Sequence, residues 1–175
     1  MASAFGHALA AFTLGKTFSK KNINPKTIGL GIFCSIFPDA DVIGFKFGIA
    51  YESFWGHRGF SHSLLFAGLL SVFLVLIFYR KWKKSWSKVL VFLYLFICTA
   101  SHGLLDALTS GGRGVAFFSP WDNTRYFLPY RPIQVSPLGV ENFFSEWGWR
   151  VIQSELVWIG IPCLVIWLVV KAFKK

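Results

Sequence analysis

The sequence predicts an all-α, polytopic membrane bundle of about four to five membrane-embedded helices, with an irregular, interfacial cap facing outward. Three observations predict it. Of the 175 residues, 54% are hydrophobic and only 15% are charged, where soluble domains carry about 25% charged residues. Residues 63–79 (SLLFAGLLSVFLVLIFY) contain no charge at all, approaching the roughly 17–25 residues that span a bilayer. The basic residues gather in short connections between apolar stretches: Lys16, Lys20, Lys21 and Lys26, then Arg80, Lys81, Lys83, Lys84 and Lys88, then Lys171, Lys174 and Lys175. That is the positive-inside pattern. It accounts for the net charge of +10 without nucleic acid, which is not expected as a partner.

The embedded segments are expected at 4–18, 27–49, 63–79, 88–108 and 156–170, in one membrane-embedded domain covering 1–175. The first is short and rich in Ala and Gly; an interfacial amphipathic helix is the competing reading. The second is interrupted at Pro38–Asp39, a break tolerated at membrane depth only where the freed backbone faces protein or a wet cavity. Residues 109–155 differ in character. They hold Gly111, Gly112, Gly114, Pro120, Pro129, Pro132 and Pro137 among aromatics such as Trp121, Tyr126, Tyr130, Trp147 and Trp149. This composition fits an outward-facing cap or re-entrant element at the membrane–water interface. Loops 16–26 and 80–88 and the C-terminus then face the cytoplasm. The N-terminus, the loop near 45–62 and the cap face outward. Cys34, Cys98 and Cys163 lie in apolar segments at spacings that fit no zinc motif, and read as small core residues. The N-terminus lacks a basic region ahead of its apolar stretch, so no cleaved signal peptide is expected.

All four histidines sit in or beside these apolar segments: His7, His57, His62 and His102. Asp39, Asp41 and Asp106 accompany them. An ionisable group at membrane depth is costly and needs a partner, so seven such groups point to one shared site. Counting about 1.5 Å per helical residue outward from the basic loops, Asp39 and His102 lie roughly 20 Å in, His62 about 27 Å and His7 about 14 Å. All four elements therefore deliver polar groups to the outer half of a core about 30 Å thick. His102 and Asp106 are spaced i, i+4 and share a helix face. Asp39 and Asp41 cannot; either one ligates and the other supports it, or the break at Pro38 turns both inward.

Nitrogen and carboxylate donors without thiolate suit zinc, manganese or iron. One or two divalent ions, zinc foremost, are the expected cofactor, with His7, Asp39, Asp41, His57, His62, His102 and Asp106 as candidate ligands. Two-metal sites are typical of phosphoester hydrolysis. In that chemistry Asp41, Asp106 and His57 are the candidate catalytic groups, with an uncoordinated carboxylate such as Asp41 as base. Arg58, Arg125 and Arg131 are candidate contacts to an anionic substrate. Each has a plainer alternative: a His hydrogen-bonded between helices, a metal-free His–Asp pair, or surface arginines beside lipid headgroups.

The set formed by His7, PDAD at 38–41, HRGFSHS at 57–63 and SHGLLDALTSGG at 101–112, followed by FSPW and YRPI, resembles the YdjM family of bacterial inner-membrane proteins. A more distant likeness is to the all-helical zinc-dependent phospholipase C and P1 nuclease group. The resemblance implies a metal-dependent hydrolase whose ligands are His7, Asp39 or Asp41, His57 or His62, His102 and Asp106. The soluble enzymes carry further His and Glu ligands after their His-x-x-x-Asp motif. This chain has no histidine after His102, and Glu141, Glu146 and Glu155 lack a partnering His, so one or two metals are expected rather than three. The expected function is hydrolysis of a phosphoester in a lipid or lipid-linked substrate reaching the site laterally. A metal or proton transporter, and an assembly protein with a structural His/Asp network, are the competing readings.

Overall fold

The structure is a computed structural model that describes residues 1–18 and 23–173. Of the basic residues expected in the cytoplasmic loops, Lys20, Lys21, Lys174 and Lys175 lie outside the described residues. The described residues form helices and irregular connections, with only two isolated β-bridges, Thr109 with Ile133 and Val115 with Tyr126.

Each of the first three helices starts on a polar cap. Ser3 accepts the Gly6 N–H ahead of α1 (Ala4–Thr17). Asn24 accepts the Thr27 N–H ahead of α2 (Pro25–Ile36), where Pro25 fills the first turn. Ser63 accepts the Phe66 N–H ahead of α3 (Leu64–Phe78). A short polar side chain satisfies an orphan donor at each of these ends. α4 (Ser85–Ala107) is the longest single α-helix. After the cap come α5 (Val140–Phe143), α6 (Glu146–Glu155), a π-turn at Leu156–Gly160, and α7 (Ile161–Phe173).

Among the described residues, three helical runs are long and apolar enough to cross a membrane: Pro25–Phe47, Ser85–Ala107 and Glu146–Phe173; Leu64–Phe78 is a shorter apolar helix. Two expectations change. The interruption at Pro38 is a change of winding, because α2 passes directly into a 3-10 helix at Phe37–Phe47. Pro38, lacking an N–H, cannot donate back to α2, and the winding tightens at that point. The last helix begins at Glu146, ten residues before the expected start at 156; α6, the π-turn and α7 run together over 28 residues. The charges at Glu146, Arg150 and Glu155 disguised its first three turns.

Packing is tightest where α1, α2 and α4 meet. Tyr94 of α4 is fully buried and its hydroxyl donates to the Ala11 carbonyl of α1 at 3.0 Å. Gly15 of α1 and Gly31 of α2 lie against its ring, so close that a β-carbon at Gly31 would collide with it. Small residues let helix backbones approach in this way inside a membrane. Ala11, Cys34, Val91, Leu95 and Cys98 complete the cluster; the three cysteines are free and buried. The Thr27 and Tyr79 hydroxyls bond at 2.7 Å and tie the start of α2 to the end of α3. Lys16, Asn24 and Lys171 border one cavity. The described basic ends of α1, α2 and α7 therefore share one end of the bundle.

Val at position 31 would overpack against a ring that has no free space to retreat into. Gly31→Val is expected to lower stability by about 1–3 kcal/mol, read as a drop in thermal midpoint in detergent; an unchanged midpoint would contradict this packing.

Candidate metal centre

At the opposite end of the bundle, four elements converge. The start of α1 supplies His7, the 3-10 helix supplies Asp39 and Asp41, the loop before α3 supplies His57, Arg58 and His62, and the last turns of α4 supply His102 and Asp106. The 3-10 winding decides how the aspartates are used. At about three residues per turn, positions two apart point roughly 120° away from each other. Asp39 faces His62 and His102, whereas Asp41 faces His57, Ser61 and the Nδ1 side of His62.

Asp39, His62, His102 and Asp106 each present one donor atom within 4.8 Å of the others. His102 Nε2 lies 3.0 Å from His62 Nε2 and 3.3 Å from Asp39 Oδ1. His62 Nε2 lies 3.7 Å from Asp39 Oδ1 and 3.8 Å from Asp106 Oδ2, and His102 Nε2 is 4.0 Å from Asp106 Oδ2. A tetrahedron with metal–ligand bonds of about 2.0–2.1 Å has edges of about 3.3 Å, inside the range these separations cover.

The hydrogen bonds behind these atoms fix which nitrogen faces inward. His102 Nδ1 donates to the Ser35 carbonyl at 2.6 Å. His62 Nδ1 faces the Ser61 hydroxyl at 2.9 Å and Asp41 Oδ2 at 3.2 Å. With both Nδ1 atoms engaged, the two facing Nε2 atoms are left to share one cation, a metal ion or, without it, the proton that His62 retains. Asp39 sharpens the demand: both its oxygens are buried and neither accepts a hydrogen bond. An enclosed carboxylate in that condition is costly unless a cation sits beside it.

A second group, Asp41, His57 and His62, also lies within ligating distance, but its atoms bond one another. Asp41 Oδ1 accepts from His57 Nδ1 at 2.7 Å, and Oδ2 accepts from the Ser61 hydroxyl at 2.6 Å and the Arg58 N–H at 3.2 Å. Asp41 therefore orients His62 and His57 from behind. With its oxygens held by three donors, it is a poor fit to the base role expected of it.

Arg58 departs furthest from its expected position. It is fully buried, not exposed to a phosphate. Its Nε donates to Asp106 Oδ2 at 2.9 Å, and its other nitrogens donate to Thr109 Oγ1 and the Gly111 carbonyl at 3.0 Å each. Its backbone sits at φ 63°, a left-handed conformation that a non-glycine residue holds only under constraint. Gly112, at φ 89°, lies so close to the guanidinium that a β-carbon would strike it. The other oxygen of Asp106 accepts the Ala2 N–H at 2.7 Å. Asp106 is thus held from two sides, a role for Arg58 that only the pairing of a Gly-rich turn at 111–112 with a lone internal arginine could have signalled.

His7 stacks on His102 with ring centroids 3.9 Å apart, and its Nε2 lies 3.4 Å from Asp106 Oδ1. Neither ring nitrogen makes a hydrogen bond. Glu155 accepts from the Ser3 N–H and hydroxyl, both at 2.5 Å, and so buttresses the start of the helix that carries His7. Arg125 donates to the His57 and Tyr51 carbonyls at 2.7 and 2.8 Å, stapling the cap to the 51–57 loop. Arg131 is exposed and lies over the Phe127 ring at 4.5 Å.

A family model described as YdjM inner membrane protein matches residues 1–175. The chain belongs to the YdjM inner-membrane protein family. It is 37% identical over 166 residues to inner membrane protein YbcI of Escherichia coli (strain K12), covering 95% of each chain. No solved structure matches it. Membership in a family described as inner-membrane proteins agrees with the three membrane-length helices.

Two outcomes follow from the geometry. Arg58→Ala leaves Asp106 buried without its cation, so a loss of about 3–5 kcal/mol is expected, and an unperturbed thermal midpoint would be incompatible with the pairing. Burial penalises the charged form of His62, but the carboxylates of Asp39 and Asp41 outweigh it and hold its pKa up at about 9. A folded-state value raised above the ordinary value of about 6.5 stabilises fully below that value and is lost as pH rises through the folded one. Chelator-treated protein should therefore lose thermal stability between about pH 6.5 and 9, and His62→Gln should flatten that slope.

Proposed function

We propose that this protein is a membrane-bound, divalent-metal-dependent hydrolase acting on a phosphoester of a lipid or lipid-linked substrate. The observation that carries the reading is the enclosed Asp39 carboxylate, without a hydrogen bond, set against two histidine nitrogens whose opposite nitrogens are already tied. Asp39, His62, His102 and Asp106 would hold the ion, zinc fitting the donor set best and manganese or iron next. When bound, the ion supplies Lewis acidity toward a phosphoryl oxygen and lowers the pKa of a water.

Charge favours a single ion. Asp39, Asp41 and Asp106 bring three negative charges and Arg58 one positive, and a bound metal displaces the His62 proton. The remainder is minus two, the complement of one divalent cation. The residues around it divide the other tasks. Arg58 and the Ala2 N–H keep Asp106 ionised and oriented, and Asp41 with Ser61 keeps the Nε2 of His62 facing inward. His7, with two uncommitted nitrogens beside Asp106, is placed to take a proton from the attacking water and return it to the leaving oxygen. In this reading the proton-transfer role expected of Asp41 passes to His7, and His57 supports Asp41.

A structural network alone would hydrogen-bond its members to one another, as Asp41 does; Asp39 and His7 do not follow that rule. A relay for transport would distribute ionisable groups through the membrane depth, whereas these gather at one end. By the positive-inside rule the basic end faces the cytoplasm, so the C-terminus lies inside and the site toward the outer face.

Purified protein is expected to contain about one equivalent of divalent metal and to hydrolyse bis(p-nitrophenyl) phosphate or a phospholipid in a metal-dependent manner. His102→Ala and Asp39→Asn should lose both properties, and Asp41→Asn should lower metal affinity about 10–100-fold. Wild-type protein with neither bound metal nor metal-dependent hydrolysis across a phospholipid panel would overturn the reading.

A further inference from the structure

Beside the metal centre, on the far side of His62, lies a cavity of about 310 Å³. Gly44 and Ile49 line it from the 3-10 helix and the loop after it, Trp55 and Phe60 from the following loop, and Phe66 from the first turn of α3. Phe60 packs edge-on against both Phe66 and Trp55, with ring centroids at 5.8 and 5.7 Å, so the aromatic wall is continuous. The polar residues that reach it are Asp41 and Ser61.

Both are already engaged within the protein. Asp41 is held by three donors, and the Ser61 hydroxyl donates to Asp41 while lying against His62 Nδ1. A buried water needs two to four polar partners, and an apolar cavity without them stays dry or takes an apolar guest. The guest at hand is the bilayer. Trp55 is 64% and Phe47 78% exposed, the exposed aromatics expected where acyl chains meet headgroups. The volume is at the lower end of the roughly 300–1,000 Å³ of ligand pockets, which suits one chain rather than two. Its polar end is one imidazole ring away from the Nε2 atom that faces Asp39.

We propose that this cavity is a slot for one hydrocarbon chain of a membrane phospholipid, positioning the attached phosphoester at the His62 side of the metal centre. The identity of the lipid as substrate rests on the hydrolytic reading above; occupancy of the slot does not.

The test uses the full chain in phosphatidylcholine nanodiscs doped with a phosphatidylglycerol carrying a diazirine midway along one acyl chain, with cross-links mapped by peptide mass spectrometry. Labelling is expected to concentrate on the segment 44–66 rather than on the lipid-facing surface of α7. Ile49→Trp fills the slot from one wall and Gly44→Leu from the facing one, where an added β-carbon already meets Ile49 at 3.2 Å. Each is expected to reduce labelling of that segment about tenfold, and a variant counts only if it elutes monodisperse with an unshifted melting profile. Labelling no denser at 44–66 than on α7, or insensitive to both fillings, overturns the slot. Labelling that behaves as expected, in protein that hydrolyses neither the lipid nor bis(p-nitrophenyl) phosphate with added zinc, upholds the slot and overturns the hydrolytic reading instead.

Discussion

Carboxylates enclosed among apolar helices are the constraint on which this structure depends. Asp39, Asp41 and Asp106 all sit in or at the ends of apolar helices, with side chains at most 9% exposed. Hydrocarbon offers them no solvation. Asp106 is answered by Arg58 and a backbone N–H, and Asp41 by His57, Ser61 and a second backbone N–H. Asp39 has only the facing nitrogens of His62 and His102. The unanswered charge is concentrated at one point, and the chemistry of the site follows from that concentration.

The rest of the fold holds this arrangement in place. Close approach of α1, α2 and α4 around Tyr94 brings His7, the Ser35 carbonyl and the His102–Asp106 face to one level. The irregular segments do what straight helices cannot. The loop at 57–61 reaches back under Asp41, the turn at 109–112 wraps the Arg58 guanidinium, and Arg125 fastens the cap to the same loop. These connections are irregular backbone whose polar groups find partners within the protein.

Much of this was legible in the sequence, for reasons specific to each element. Residues 63–79 and 88–108 read as helices because an uncharged run of that length has little alternative in a bilayer. His102 and Asp106 read as neighbours because i, i+4 spacing leaves no freedom once the helix is granted. Arg58 was misread because its sequence neighbours, two glycines and a histidine, resemble an exposed anion loop; its partners Asp106, Thr109 and Gly111 lie about fifty residues away. The start of the last helix was hidden by Glu146, Arg150 and Glu155, of which Glu155 turns inward to Ser3.

The sequence by itself determined the apolar helical class, the gathering of basic residues in the connections and the shared face of His102 and Asp106. Those properties depend on hydropathy, charge and helical rise, which are local and additive along the chain. Only the tertiary structure decided that Asp39 faces the two histidines while Asp41 stands behind one of them, and that Arg58 anchors a carboxylate. Those roles depend on the winding of a single 3-10 segment and on hydrogen bonds between residues far apart in the chain. Neither leaves a periodic mark in the sequence.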